Sequence, residues 1–227
     1  MKKIDLQVNG LICCRGESLR VYKKLKEENY DFITLINEFN RFIVEDSELL
    51  SFLKHQSSTA FLTQQININC SGVDQNLLNQ INVREITITR FDFRSIGDLP
   101  PMVKKREGWK ERTRFRLFRR KIIKQPESLV PYLEYVENSL HIAILNMIIV
   151  KKCKALTIIG SDFYEADYYL SHKELDWEQT STKKTQDRLK KGMDCLISKF
   201  PDVQFNLFTC STYNNNFKNC KIVKICP

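Results

Sequence analysis

The chain has 227 residues, 42% of them hydrophobic and 11% aromatic, enough apolar material for one domain with a real core and too much for a disordered chain. The longest apolar run, 142–150, is interrupted by Asn146 and too short to span a bilayer, and residues 1–16 hold no stretch of secretion-signal length. The formal net charge of +9 is uneven: in 103–124, eleven Lys and Arg stand against Glu107 and Glu111, so something anionic is expected beside that stretch.

The elements follow in chain order. Residues 10–14, "GLICC", form a short apolar strand that empties into Arg15-Gly16-Glu17-Ser18. Leu19, Tyr22 and Leu25 then recur at helical spacing, with Ser18 placed as the N-cap. Residues 30–37, "YDFITLIN", read as a second strand. "SELLSFLKHQ" reads as a helix capped by Ser47 with Leu49, Leu50 and Leu53 on one face, and "STAFLTQQI" as a third strand. Alternation over 85–90 gives another strand, and "GDLPPM" breaks the chain before the basic stretch. A helix is expected over 131–150, a strand over 155–159, an amphipathic helix over "TKKTQDRLKKGMDCLISKF", and two closing strands in "VQFNLFTCS" and "CKIVKIC". Strands alternating with helices indicate an α/β domain with a mainly parallel sheet.

In such sheets ligands sit beyond the C-terminal strand ends, where helix N-termini present N–H donors. Three loops meet that description: 15–18, 37–40 and 160–164. The basic stretch, with Trp109, Phe115, Leu117 and Phe118 interleaved, suits an anionic membrane surface or an acidic glycan, and also nucleic acid; its plainest reading is a solvated helix face.

Eight cysteines, at 13, 14, 70, 153, 195, 210, 220 and 226, show no paired CxxC spacing with matching histidines, so zinc is not indicated. Several lie in apolar runs, where a thiol acts as a small hydrophobe. The expectation is a cytoplasmic protein with reduced thiols, possible contact with the inner membrane face resting on the basic stretch. Three scattered histidines define no Ser-His-Asp order; His141 falls on an apolar helix beside Ser139 as a core or pocket-edge residue rather than a catalyst, and His55 at a helix end carries no signal.

Taken together, "ICCRGESL", "DFITLINEFNRF" and "ENSLHIAILNMIIVKKCKALTIIGSDFYEADYY" resemble the bacterial sialyltransferases that decorate lipooligosaccharides, glycosyltransferase family 42. The resemblance runs in order over most of the chain and is poor from about 70 to 125. It implies a single Rossmann-like nucleotide-binding domain over 1–227, a GT-A-like variant with a small lid over 163–182, that transfers sialic acid or a related nonulosonic acid from a CMP-activated donor to a glycan, with inversion and without a metal or other cofactor.

The family roles fall on matching positions. Arg15, Gly16 and Ser18 would lie by the donor phosphate, Asn37 near the nucleotide or sugar, and Ser139 near the sugar carboxylate. Gly160, Ser161 and Asp162 would surround the cytidine and ribose. Tyr164, with Tyr168 or Tyr169, would hydrogen-bond the departing phosphate. Ser181 stands where the family has a catalytic histidine; His172, in "YYLSHKELDW", is the nearest candidate general base. Arg15 stands at a family Asn and Glu17 at a family Pro, so an arginine that could pair an anion is followed by an acid that would repel it. A nucleotide- or nucleic-acid-binding protein without transfer chemistry is the alternative.

Overall fold

In the computed structural model, which describes residues 7–36, 43, 45–56, 59–64, 80–81, 83–89, 121–123, 138–171 and 182–225, the short apolar runs become strands, among them the deeply buried Asn9–Cys13 and Phe32–Ile36. They are β1 (Asn9–Cys13), β2 (Phe32–Ile36), β3 (Thr59–Gln64), β4 (Val83–Thr89), β5 (Lys121–Ile123), β6 (Ala155–Ile159), β7 (Gln204–Thr209) and β8 (Cys220–Lys224). They form one sheet in the order β5-β4-β3-β2-β1-β6-β7-β8, every neighbouring pair parallel. Parallel strands need crossovers, and around β1 and β6 the described helices cover both faces, which is why "GLIC" and "ALTII" lack a polar alternation.

One layer is built on Leu11 and Cys13 of β1, Ile33 and Leu35 of β2 and Ile159 of β6. Against them pack a 3-10 helix, Glu17–Lys24, and helix α1, Ser47–His55, which meet through Tyr22 and Phe52 with ring centroids 5.9 Å apart. The other layer takes Ile12, Leu156, Ile158, Phe205 and Leu207 from the opposite sides of β1, β6 and β7. It is covered by α2, Ser139–Leu145, which runs on as a π-helical turn, Asn146–Val150, and by α3, Lys183–Lys199. At the crossing of α2 and α3 a methyl group on Gly192 would collide with the His141 ring, so this glycine is what admits the imidazole between the helices. His141 is fully buried, as its apolar helix implied, and donates to the Leu189 carbonyl; burial pulls its pKa down to about 4 against that bond.

Both expected serine caps are displaced. Gly16 is the N-cap of the 3-10 helix, because the Ser18 hydroxyl is used across the sheet; Asp46, not Ser47, caps α1, its Oδ1 accepting from the Glu48 and Leu49 N–H groups at 3.0 and 3.1 Å. The face that α1 buries is Leu49, Phe52 and Leu53, with Leu50 at its margin. The helix expected over 131–150 is described from Ser139 onward. β5 places Lys121–Ile123 in the sheet beside β4, so a helical face does not hold for that part of the basic stretch; its other residues, and the membrane, glycan or nucleic-acid contact expected of them, lie outside the described residues.

Five described cysteines, Cys13, Cys14, Cys153, Cys195 and Cys220, are free, whereas Cys210 is disulfide-bonded. This corrects the expectation of uniformly reduced thiols: Cys210 stands at the end of a strand, in a position that spacing alone does not pair. No described helix is long and apolar enough to cross a membrane.

Candidate functional site at the switch point between β1 and β6

The sheet order reverses direction at β1, where the chain winds outward through β2 to one side and returns at β6 on the other. In doubly wound sheets that switch point opens a crevice at the strand ends. Here the crevice is bounded by the loops that follow β1 and β6, two of the three loops expected from the sequence; the third, 37–40 with Asn37, lies outside the described residues.

The two loops touch through their glycines. Gly160 has φ +73°, and a Cβ there would strike the Cys14 carbonyl; a Cβ on Gly16 would sit 2.5 Å from Asp162 Oδ2 and 2.7 Å from the Gly160 oxygen. The Gly16 N–H donates to that same oxygen at 2.7 Å, and Cys14 N–H to the Ile159 oxygen at 2.8 Å. β1 and β6 are therefore stitched together beyond their last strand residues.

Asp162 completes the closure. It is 3% exposed, and its carboxylate accepts from Ser18 N–H (2.9 Å), Ser18 Oγ (2.6 Å) and Cys210 N–H (2.7 Å), with Thr209 Oγ1 at 3.1 Å. Ser18 Oγ accepts the Gly160 N–H at 3.0 Å, so its own proton is the one that points at Asp162. Thr209 Oγ1 also donates toward the Ser161 carbonyl at 2.9 Å and meets Ser211 Oγ at 2.8 Å. A helix N-terminus at a switch point usually faces a ligand anion. In this chain the protein's own carboxylate takes the Ser18 N–H, and the Glu17 N–H goes to the Asp167 oxygen at 3.0 Å. Gly16, Ser18, Ser161 and Asp162 are thus brought together, buried, with their hydrogen bonds turned toward one another.

The segment after Asp162 crosses the mouth of the crevice. Phe163, Tyr164 and Leu170 all have left-handed backbones, φ 50°, 61° and 61°, an unusual density for residues that carry side chains. Phe163 is buried against Tyr213, with centroids 4.8 Å apart. Tyr164 is half-buried and packs against both core layers, so it sits astride the upper edge of the sheet. The chain then doubles back over the β1 loop: Gly16 bridges Tyr168, and the Tyr169 N–H donates to the Arg15 oxygen at 2.8 Å.

The two following tyrosines are bound to protein groups. Arg15 is buried, its guanidinium 4.7 Å from the Tyr168 ring centroid, and donates to Tyr168 Oη at 3.3 Å. Tyr169 Oη donates to Asp46 Oδ2 at 2.5 Å, the same oxygen that accepts from Tyr22 Oη at 2.8 Å. Burial and that bond raise the Tyr169 pKa to about 12. Asp46 would be raised by its burial, yet the bonds from Tyr169, Leu49, Tyr22 and Glu48 hold it below the ordinary carboxylate value. Glu17, expected to repel an anion, pairs with Arg20.

Ser139 is buried as the first residue of α2, which packs on β1, β2 and β3. His172 and Ser181 lie outside the described residues, and His55 is exposed at the end of α1. Four partners that organise the site were missed in the sequence: Asp46, Glu165, Lys190 and the "FTCST" turn of Thr209 to Ser211. The cluster of hydroxyls in that turn was the available signal, since Ser and Thr at a strand end offer donors to a neighbouring loop.

Among the described residues no group of three or more His, Cys, Asp or Glu is placed to hold a metal ion. Fold and site define an α/β protein with a parallel, doubly wound sheet whose switch point is closed by the loops after β1 and β6. The chain matches no protein-family model and no curated protein sequence.

Proposed function

We propose that this protein is an inverting glycosyltransferase that uses a CMP-activated nonulosonic acid, such as CMP-sialic acid, and a glycan or lipid-linked glycan as acceptor. One observation carries this reading: the two described loops that resemble the sialyltransferase family, 15–18 and 160–164, meet at the switch point with Tyr164 astride its mouth. The acceptor hydroxyl attacks the anomeric carbon as the bond to the phosphate oxygen breaks, and CMP leaves with the electron pair. Negative charge grows on the phosphate, so hydroxyl donors there stabilise the transition state more than the bound donor. Tyr164 and Tyr168 supply them, and the bond from Arg15 polarises the Tyr168 hydroxyl toward donation. Tyr169, committed to Asp46, holds the segment after Asp162 in place rather than the phosphate. His172 is the base in this reading, and the basic stretch faces the anionic acceptor or its membrane.

A second reading, a nucleotide- or nucleic-acid-binding protein without transfer chemistry, stands beside it because Asp162 and Asp167 take the Ser18 and Glu17 N–H groups that a transferase would turn to its donor phosphate, so any anion would be met elsewhere on the chain. Calorimetry with CMP and CMP-sialic acid against UMP, AMP and a short single-stranded oligonucleotide separates the two. Selective CMP binding, with turnover that collapses in His172→Ala while CMP affinity stays, is the expected result. Salt-sensitive oligonucleotide binding without CMP binding would retire the transferase.

A further inference from the structure

The left-handed turn that lifts Tyr164 over the crevice has a dedicated fastening that the sequence did not announce. Glu165 is bound by its N–H to the Asp162 oxygen at 2.9 Å, and its side chain is only 14% exposed. That carboxylate pairs with Lys190, itself 16% exposed, and accepts from the Thr212 N–H at 2.6 Å and from Thr212 Oγ1 at 2.8 Å. Lys190 Nζ also donates to Thr212 Oγ1 at 3.0 Å, so the three groups close a ring. One turn earlier on the same face of α3, Gln186 Nε2 donates to the Tyr164 carbonyl at 3.1 Å.

Two consecutive left-handed residues do not hold that shape unaided, and the surrounding contacts must over-determine it. α3 and the turn after β7 do so from two directions. We infer that Glu165, gripped by Lys190 and Thr212, is a positioning residue that fixes the Tyr164 hydroxyl for the leaving phosphate. The catalytic half rests on the transferase reading above; the geometric half does not. A hydroxyl that stabilises developing charge must already be in place when the bond breaks, because a displacement of about 1 Å costs roughly 100-fold in rate.

The test therefore has an arm that needs no substrate. Hydrogen exchange in Glu165→Ala should speed the Glu165 and Thr212 amides by about tenfold or more, while the β6 amides stay protected. Unchanged exchange at both amides overturns the proposal whatever the enzyme does. In the kinetic arm, Glu165→Gln should lower kcat by roughly 10- to 100-fold with donor affinity nearly unchanged, and Tyr164→Phe should do the same. The double variant should be no slower than Tyr164→Phe alone, because Glu165 acts through Tyr164. Additive losses, or faster exchange with kcat intact, would make Glu165 a structural fastener and nothing more. If the unaltered protein neither binds CMP nor turns over the donor, the transferase reading falls and takes the catalytic half with it, while exchange still decides whether Glu165 holds the turn.

Discussion

Replacing Asp162 is the most direct test of how the switch point is held. Its carboxylate is 3% exposed and takes two backbone N–H groups, from Ser18 and Cys210, and the Ser18 hydroxyl. A hydrogen bond to a charged group contributes about 1.5–3 kcal/mol, and a buried donor left without an acceptor costs about 1–3 kcal/mol. Thr209 is not counted, because its single proton is also drawn to the Ser161 carbonyl. Two orphaned N–H groups together with an emptied carboxylate site place the loss for Asp162→Ala at about 3–5 kcal/mol, a large share of the 5–15 kcal/mol typical of a folded domain. Asp162→Asn keeps one acceptor oxygen but turns an amide N–H₂ toward donors, so about half that loss is expected. Urea unfolding followed by far-UV circular dichroism reads the change as a lower midpoint at constant slope. A loss under about 1 kcal/mol in both variants would mean the carboxylate is not the fastening described here.

Two further outcomes follow from the same geometry. His141 is neutral in the folded protein with a pKa of about 4, below its ordinary value of 6.5, so the unfolded chain binds the extra proton; stability should fall as pH drops from about 6.5 to 4, by up to about 3 kcal/mol, and level off below. Comparing urea midpoints at pH 7 and pH 5 checks this, and His141→Gln should flatten the difference. Asp46→Ala removes the N-cap of α1 and the acceptor for two tyrosines, at a cost of about 1–3 kcal/mol. In the ultraviolet titration the Tyr169 step should move from about 12 back toward 10; a step that stays put would mean the bond to Asp46 does not hold the Tyr169 proton.

Local pattern carried most of the fold. The strand over 155–159 agrees residue for residue with β6, and the helix over 182–200 agrees with α3 within one residue at each end, because a short apolar run and an amphipathic period are written in neighbouring residues. The loops after β1 and β6 were legible for the same reason: a β-forming run ending in Gly-Ser-Asp is a strand end wherever it sits. What those polar groups bind was not legible. Asp162 reaches Ser18 and Cys210, 144 and 48 residues away, and no periodicity encodes such partners. The serine caps failed by the same logic, since Ser18 and Ser47 have good cap chemistry locally, but Ser18 was claimed by Asp162, and Asp46, one residue before Ser47, made the stronger cap. That Cys210 is disulfide-bonded was likewise not readable from its spacing.

The place of β1 in the middle of the sheet also has a meaning for synthesis. Among the described strands it is the first made, yet the neighbour on one of its sides, β6, begins only at Ala155. At roughly 5–20 residues per second, the ribosome leaves that side of "NGLIC" without its partner for roughly 7–30 s. For that interval an apolar strand edge of the future core is open to other chains, and the carboxylate that will lock it, Asp162, has not been translated. The residues that close the switch point are therefore also the ones whose synthesis ends the exposure of that edge.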